Sequence, residues 1–304
     1  GPVFGQLKRC TSCGYLHPIT APPGPDLCEN CQTSLDTLLT PMMRLQNVST
    51  RRKDKINSDE EERLRLGYET QSGFRYAVYR GVKSHQTALV RSESTIMGQL
   101  NYGHAATLWR INLGWTRRVD KSQCGFVLDI ERGYWQRNDL MPDDDDVDQL
   151  TRRVERVIPY VEDRRNSLIF EPKTAQSAEV ITSLAYALKN AILVTYQLED
   201  DEVACELLPN GNEPRYILLY EAAEGGAGVL RRLLKDPQAF PLVAREALRI
   251  CHFNPDTGED EGHAAGVTEI CEAACYDCLL SYSNQPVHRL LDRKAIRELL
   301  LDFH

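Results

Sequence analysis

An α+β fold in three blocks is what this sequence predicts, and three observations carry the prediction. Cysteines gather near the two ends of the chain, four within residues 10–31 and four within residues 251–278. Short aromatic and β-branched runs, split by Gly and Ser, fill the middle. Helical periodicity is concentrated in the last third. The expected blocks are residues 3–40, a metal-organised ribbon; 41–165, an antiparallel β-rich platform; and 166–304, an α/β domain built around the second cysteine group.

The chain has 304 residues, enough for two domains and a large core. A formal net charge of −8 argues against a protein that simply coats nucleic acid, but it allows a local basic groove. No stretch reads as long and apolar enough to span a bilayer, and no signal peptide opens the chain. Ten cysteines, spaced for metal rather than for disulfides, fit a reducing cytoplasm with no membrane partner. Gly1-Pro2 reads as the scar of a cleaved tag, which makes the chain a piece of something longer.

In the first block, Cys10-x2-Cys13 and Cys28-x2-Cys31 form two knuckles fourteen residues apart. Each knuckle turns two thiolates to one side, and the Pro-rich segment between them returns the chain. This is the spacing of a zinc ribbon. A ribbon this poor in apolar residues draws its folding energy from the metal. A thioredoxin-like redox pair would need a βαβ context, which is missing.

The second block begins basic, with Arg51, Arg52, Lys53 and Lys55. These cations can contact phosphates or form a solvated charge run. Ser58 and Glu61 make a capping box for a short helix that Gly67 stops. FRYAVYRG, TALVRSE, ATLWRINLGW and GFVLDIERGYW then read as antiparallel strands. Within WRINLGWTRR and just after it, Arg110, Trp115, Arg117, Arg118 and Lys121 interleave cations with a large aromatic, a composition that suits a nucleic-acid track. The alternative is a strand with a charged solvent face and Trp115 in the core. An acidic loop over residues 139–150 follows, then a basic, amphipathic segment that includes Arg152 and Arg153.

In the third block, AEVITSLAYALKNAILVTYQL is a long apolar helix. VACELLPNGNEPRYILLYEAA is a hairpin, since Asn210-Gly211 is a strong turn signal. Its second strand leads to Glu221 and to a glycine turn, Gly225, Gly226 and Gly228, ahead of a helix. Strand, glycine turn and helix N-terminus can present N–H groups to an anion, though a tight turn with close packing explains the same residues. Without GKS or GKT it is no nucleotide-binding P-loop. Cys251, Cys271, Cys275 and Cys278 then suit a second tetrahedral zinc site, so the expected cofactor is Zn²⁺ at two sites. Cys124 and Cys205 have no CxxC company and read as core residues.

Glu221 with the GGAGVL turn, the CxxxCxxC group, then Leu279, Asn284 and His288 resemble the MrfA zinc-binding (MZB) domain. That domain occurs at the C-termini of superfamily 2 DNA helicases and in DrmB of the DISARM anti-phage system. The resemblance covers about residues 170–304. DEEERLRLGYE, TLWRINLGWTRR and GFVLDIERGYW are more loosely similar to the region preceding it in very large bacterial helicases. The resemblance implies a non-catalytic zinc module that helps a helicase bind DNA weakly and docks motor domains, in cis or in trans, in defence or repair. Glu221, Asn284 and His288 become candidate functional residues. No Walker A or DExH motif is present, so the chain carries no motor of its own. The enzymatic alternative is a metal-dependent nuclease or nucleotide sensor using His252, His263 and His288 with Glu221, Asp277 and Asp292.

Overall fold

The computed structural model describes residues 5–46, 67–136, 154–211, 213–222 and 226–304. Arg51, Arg52, Lys53, Lys55, the Ser58 capping box, the acidic loop, Arg152, Arg153 and Gly225 lie outside the described residues. The fold is α+β with a β-rich middle, and the chain divides into two compact units. One comprises residues 1–75 and 108–163, the other 76–107 and 164–304.

In the first unit, β1 (Gly5–Arg9) pairs antiparallel with β2 (Leu16–Ile19) and with β3 (Leu38–Arg44). β4 (Tyr68–Arg75) pairs with β8 (Thr95–Trp115). β11 (Val154–Pro172) runs parallel to β3 at Ile158↔Met42, and antiparallel to β9 (Phe126–Asp129) at Val154↔Asp129. β10 (Tyr134–Trp135) completes the set against β9. The core follows the two-residue period of the strands. In β8, Trp109, Ile111 and Leu113 point inward and Arg110 outward. These side chains join Leu7, Leu16, Leu39, Met42 and Ile158. The ribbon expected at 3–40 is therefore not a free-standing block. Leu7 of β1, with Leu39 and Met42 of β3 set three apart across a shift in register, enters a core shared with later strands.

In the second unit, β5 (Val78–Tyr79) and β6 (Val82–Lys83) form a small hairpin, and β7 (Gln86–Ser92) pairs with the first half of β8. β12 (Val203–Leu208) and β13 (Tyr216–Glu221) form the predicted hairpin, and β13 also pairs with the second half of β11. Four α-helices lie among the described residues, the first ahead of that hairpin and three after it: α1 (Ala178–Thr195), α2 (Val229–Lys235), α3 (Ala239–Ile250) and α4 (Arg297–Phe303). Residues 76–107, read with the middle block, belong here because β7 and β8 send Val90, Leu100 and Tyr102 into the helical core. Phe170, Phe240 and Phe303 meet at its centre, with ring centroids 5.5–5.7 Å apart.

Two expectations change. The segment after residue 150, read as amphipathic, is the strand β11 from Val154 onward. And α1, at 18 residues, does reach the length and apolarity of a membrane span. Its apolar side has a different cause: Ile181, Leu184, Leu188 and Ile192 are buried in the second unit, where α1 packs on α3 and β12.

Candidate metal centres

The first centre is built from two copies of one local turn. In the first knuckle, Gly14 N–H donates to the Cys10 carbonyl and Cys10 N–H to the Tyr15 carbonyl, both at 2.9 Å. In the second, Gln32 N–H donates to the Cys28 carbonyl at 2.9 Å and Cys28 N–H to the Thr33 carbonyl at 2.8 Å. Each turn closes with a left-handed residue just after its second cysteine: Gly14 at φ 75° and Gln32 at φ 62°. That reversal aims both thiols of a knuckle the same way. The four sulfurs lie within 4.8 Å of one another, with Cys10–Cys31 at 3.5 Å and Cys13–Cys28 at 3.6 Å. Donors surround them: Asn30 N–H reaches Cys28 at 3.4 Å, Asn30 Nδ2 reaches Cys13 at 3.7 Å, and buried His17 places Nε2 3.4 Å from Cys28. Buried Arg9 adds a cation; burial lowers its pKa, while Cys10 and Cys13 raise it.

The second centre differs from the predicted one in a single ligand. The converging donors are His252, Cys271, Cys275 and Cys278, within 4.8 Å of one another, and Cys251 is not among them. The end of α3 explains the exchange. Phe253 N–H donates to the Leu248 carbonyl at 2.9 Å and His252 N–H to the Arg249 carbonyl at 3.1 Å, with His252 left-handed at φ 61°. This is a Schellman cap, whose left-handed position is usually glycine. Histidine is among the few other residue types enriched there. Cys251, one residue earlier, extends the buried stripe of Val243, Ala244, Ala247 and Leu248 and is wholly buried. The helical spacing that continues from Ala244 and Ala247 to Cys251 was the signal in the sequence for a core cysteine. His252 Nε2 lies 3.2 Å from Cys275 Sγ; Cys275–Cys278 is 3.6 Å and Cys271–Cys278 is 3.9 Å.

Buried Arg293, which sequence reasoning missed, ties this centre together. Its guanidinium donates to the Cys271 carbonyl at 2.7 and 3.0 Å and to the Cys251 carbonyl at 3.1 Å. It also holds Asp260 with two bonds, at 2.7 and 3.1 Å. One planar fork thus joins the end of α3, the loop that bridges Phe253 to Asp260, and the backbone of a ligand. A lone arginine outside any CxxC pair gives no sign of such a role in the sequence.

The donor sets fit zinc. Bonds of about 2.3 Å from a tetrahedral ion to sulfur place neighbouring sulfurs about 3.8 Å apart. The observed 3.5–3.9 Å separations lie around that edge length. Burial pushes the thiols of Cys271 and Cys278 up, so a divalent cation is what would keep them ionised. Burial, then Arg293, lowers the pKa of His252, which favours the neutral imidazole that ligates metal. With four protein donors each, both centres would hold structural zinc with no open position.

Residues 184–279 match the MrfA Zn-binding domain family, MZB. The match contains His252, Cys271, Cys275 and Cys278. Among solved structures, the crystal structure of the DUF1998 helicase MrfA bound to DNA is similar, with TM-score 0.38 and 12% identity over 78% of this chain and 26% of that one. The chain thus spans about a quarter of that protein's length. No curated protein is significantly similar in sequence.

The other residues singled out near the MZB segment have structural partners. Buried Glu221 accepts from Asn166 Nδ2 at 3.0 Å and faces Leu230 N–H of α2 at 3.4 Å. A side chain at Gly226 would overlap its carboxylate. Of the glycine turn's described part, Gly226 packs closely on Glu221, as the close-packing alternative has it. Asn284 donates to the Leu279 carbonyl at 2.9 Å and accepts from Ser281 N–H at 2.8 Å, and His288 Nε2 lies 2.9 Å from Asn284 Oδ1. They organise the 3-10 turn Tyr282–Leu290 beside the cysteines. The three histidines of the nuclease alternative separate: His252 joins the metal donors, His288 holds Asn284, and exposed His263 pairs with the Ala264 carbonyl. Among the described residues, only the two cysteine-rich groups bring three or more His, Cys, Asp or Glu together.

In the first unit, Arg110 and Arg117 are exposed. Trp115 is 42% exposed and so is not a core residue. Arg118 is committed within the protein, pairing with Glu69 at 2.7 Å and donating to the carbonyls of Trp115 and Lys121. Lys121 donates to the Thr116 carbonyl. Of this group, Arg117 is the cation best placed to reach a phosphate.

Proposed function

We propose that the chain is a non-catalytic, two-zinc accessory module of a large bacterial superfamily 2 DNA helicase, working in anti-phage defence or DNA repair in the cytoplasm. The observation that carries this reading is that a complete donor set, one histidine and three cysteines, falls inside the segment matching the MZB family. Zinc, when bound, would crosslink the end of α3, the loop through Cys271 and the Cys275–Cys278 turn. With every donor supplied by protein, such a centre holds shape and leaves no position for substrate. DNA and helicase motor domains, in cis or in trans, are the partners. The exposed aromatics and arginines of the first unit support the DNA part of the reading.

The test titrates the purified chain onto a fluorescein-labelled tailed duplex at low salt with Mg²⁺, followed by anisotropy and then by gel. Weak binding that fades steeply with salt, with the DNA left intact, is the expected result. Cleaved DNA, or no binding even at low salt, would overturn the proposal.

A further inference from the structure

We infer that the aromatic cluster of the first unit is a stacking platform for an unpaired base of single-stranded DNA, with Trp115 as the ring that takes the base. This rests on the reading of the chain as a DNA-binding helicase module. Trp115 and Trp135 are 42% and 50% exposed, an unusual outlay of large aromatic surface for an acidic chain. The cluster is ordered by its own contacts. Tyr68 stacks on Trp115 with centroids 4.4 Å apart and planes inclined by 27°, and Phe126 meets Tyr68, Trp115 and Trp135 edge-on at 5.9–6.2 Å. Tyr68 therefore holds the Trp115 indole in place before any ligand arrives, so little side-chain freedom is lost on binding.

An exposed cation beside the ring selects the ligand. Trp115 lines a cavity of about 640 Å³ together with Arg117, Arg118, Asp120, Gln123 and Arg156. Glu69 pairs with Arg118, whereas Arg117 stands exposed at the cavity. Arg156 also donates to the Gly125 carbonyl at 3.3 Å, so its position is set by the backbone. An exposed guanidinium beside a supported aromatic face matches a nucleotide: a flat base on the indole and a phosphate on Arg117. A duplex keeps its base faces stacked internally and cannot offer one.

The experiment measures binding of the full chain to labelled oligo(dT), to a duplex of equal length and to an abasic strand, alongside melting temperature. Trp115→Leu keeps an apolar contact for Tyr68 but removes the stacking face. It should weaken oligo(dT) binding about tenfold and leave duplex and abasic binding unchanged. Trp115→Tyr should restore most of the affinity. Arg117→Gln, at an exposed position, should flatten the salt slope by about one unit even if the Leu variant folds poorly. A wild-type chain that binds DNA but is indifferent to these changes overturns the platform alone. Loss of a copurifying helicase motor with DNA affinity intact would make the patch a protein interface and also overturn it. A wild-type chain that binds neither DNA form at low salt removes the DNA-binding reading, and the platform falls with it.

Discussion

At the residue scale, adjacent positions on one helix end have opposite duties. Cys251 closes the buried stripe of α3, and burial pushes its thiol up to about 12, so at neutral pH it remains a small apolar side chain. His252, turned by the left-handed cap, faces the thiols. Replacing Cys251 by Ala should preserve two zinc ions per chain at a cost of about 1 kcal/mol in stability. His252→Ala should retain the first zinc and lose or greatly weaken the second. Elemental analysis of protein never exposed to chelator, with a thermal melt of each variant, checks both. A Cys251→Ala variant carrying one zinc would restore the cysteine as a ligand.

At the element scale, the two knuckles share a hydrogen-bond pattern but place different residues at the left-handed position. Gly14 meets no Cβ penalty there, whereas Gln32 does. Gly14→Ala should therefore destabilise the zinc-loaded protein by about 1–2 kcal/mol. Gln32→Gly should be neutral or stabilising, because relief of strain offsets the added freedom of the unfolded chain. Melting curves at fixed zinc concentration measure the contrast. Equal destabilisation by both would mean that the Gln32 side chain makes a contact more favourable than its backbone strain. The knuckles themselves were legible in sequence because a CxxC turn is complete within about five residues. The Schellman cap at His252 was not, because histidine there carries no glycine-like signature.

At the scale of the whole molecule, each unit has its own core and its own metal donors, but the balance differs. The second unit buries faces of its four described helices and a hairpin around Phe170, Phe240 and Phe303. In the first, the cluster of Leu7, Leu16, Leu39 and Met42 takes in, among the described residues, none from the second knuckle. That knuckle depends chiefly on the metal, whose coupling to folding is on the order of 10 kcal/mol at such sites. Under a strong chelator, limited proteolysis should cut first between residues 20 and 34, while much of the helical circular dichroism persists. Loss of the helical signal in step with that cleavage would show that the two metals hold one cooperative structure.

The sequence by itself determined the local chemistry: two cysteine groups spaced for metal, strands from their alternation, α1 and the Asn210-Gly211 hairpin from their periods and turn residues. Each of these is decided within a few neighbours along the chain. Tertiary structure decided what depends on the direction in which a segment faces. It chose His252 over Cys251, packed Gly226 closely on Glu221, spent Arg118 on Glu69, left Trp115 at the surface, and moved residues 76–107 into the second unit. Those choices rest on partners distant in sequence. Arg293, which holds the backbone at both Cys251 and Cys271, lies 42 and 22 residues from them. A one-residue difference at a helix end turns a side chain toward the core or toward the metal donors, and that rotation is set by such distant contacts rather than by spacing.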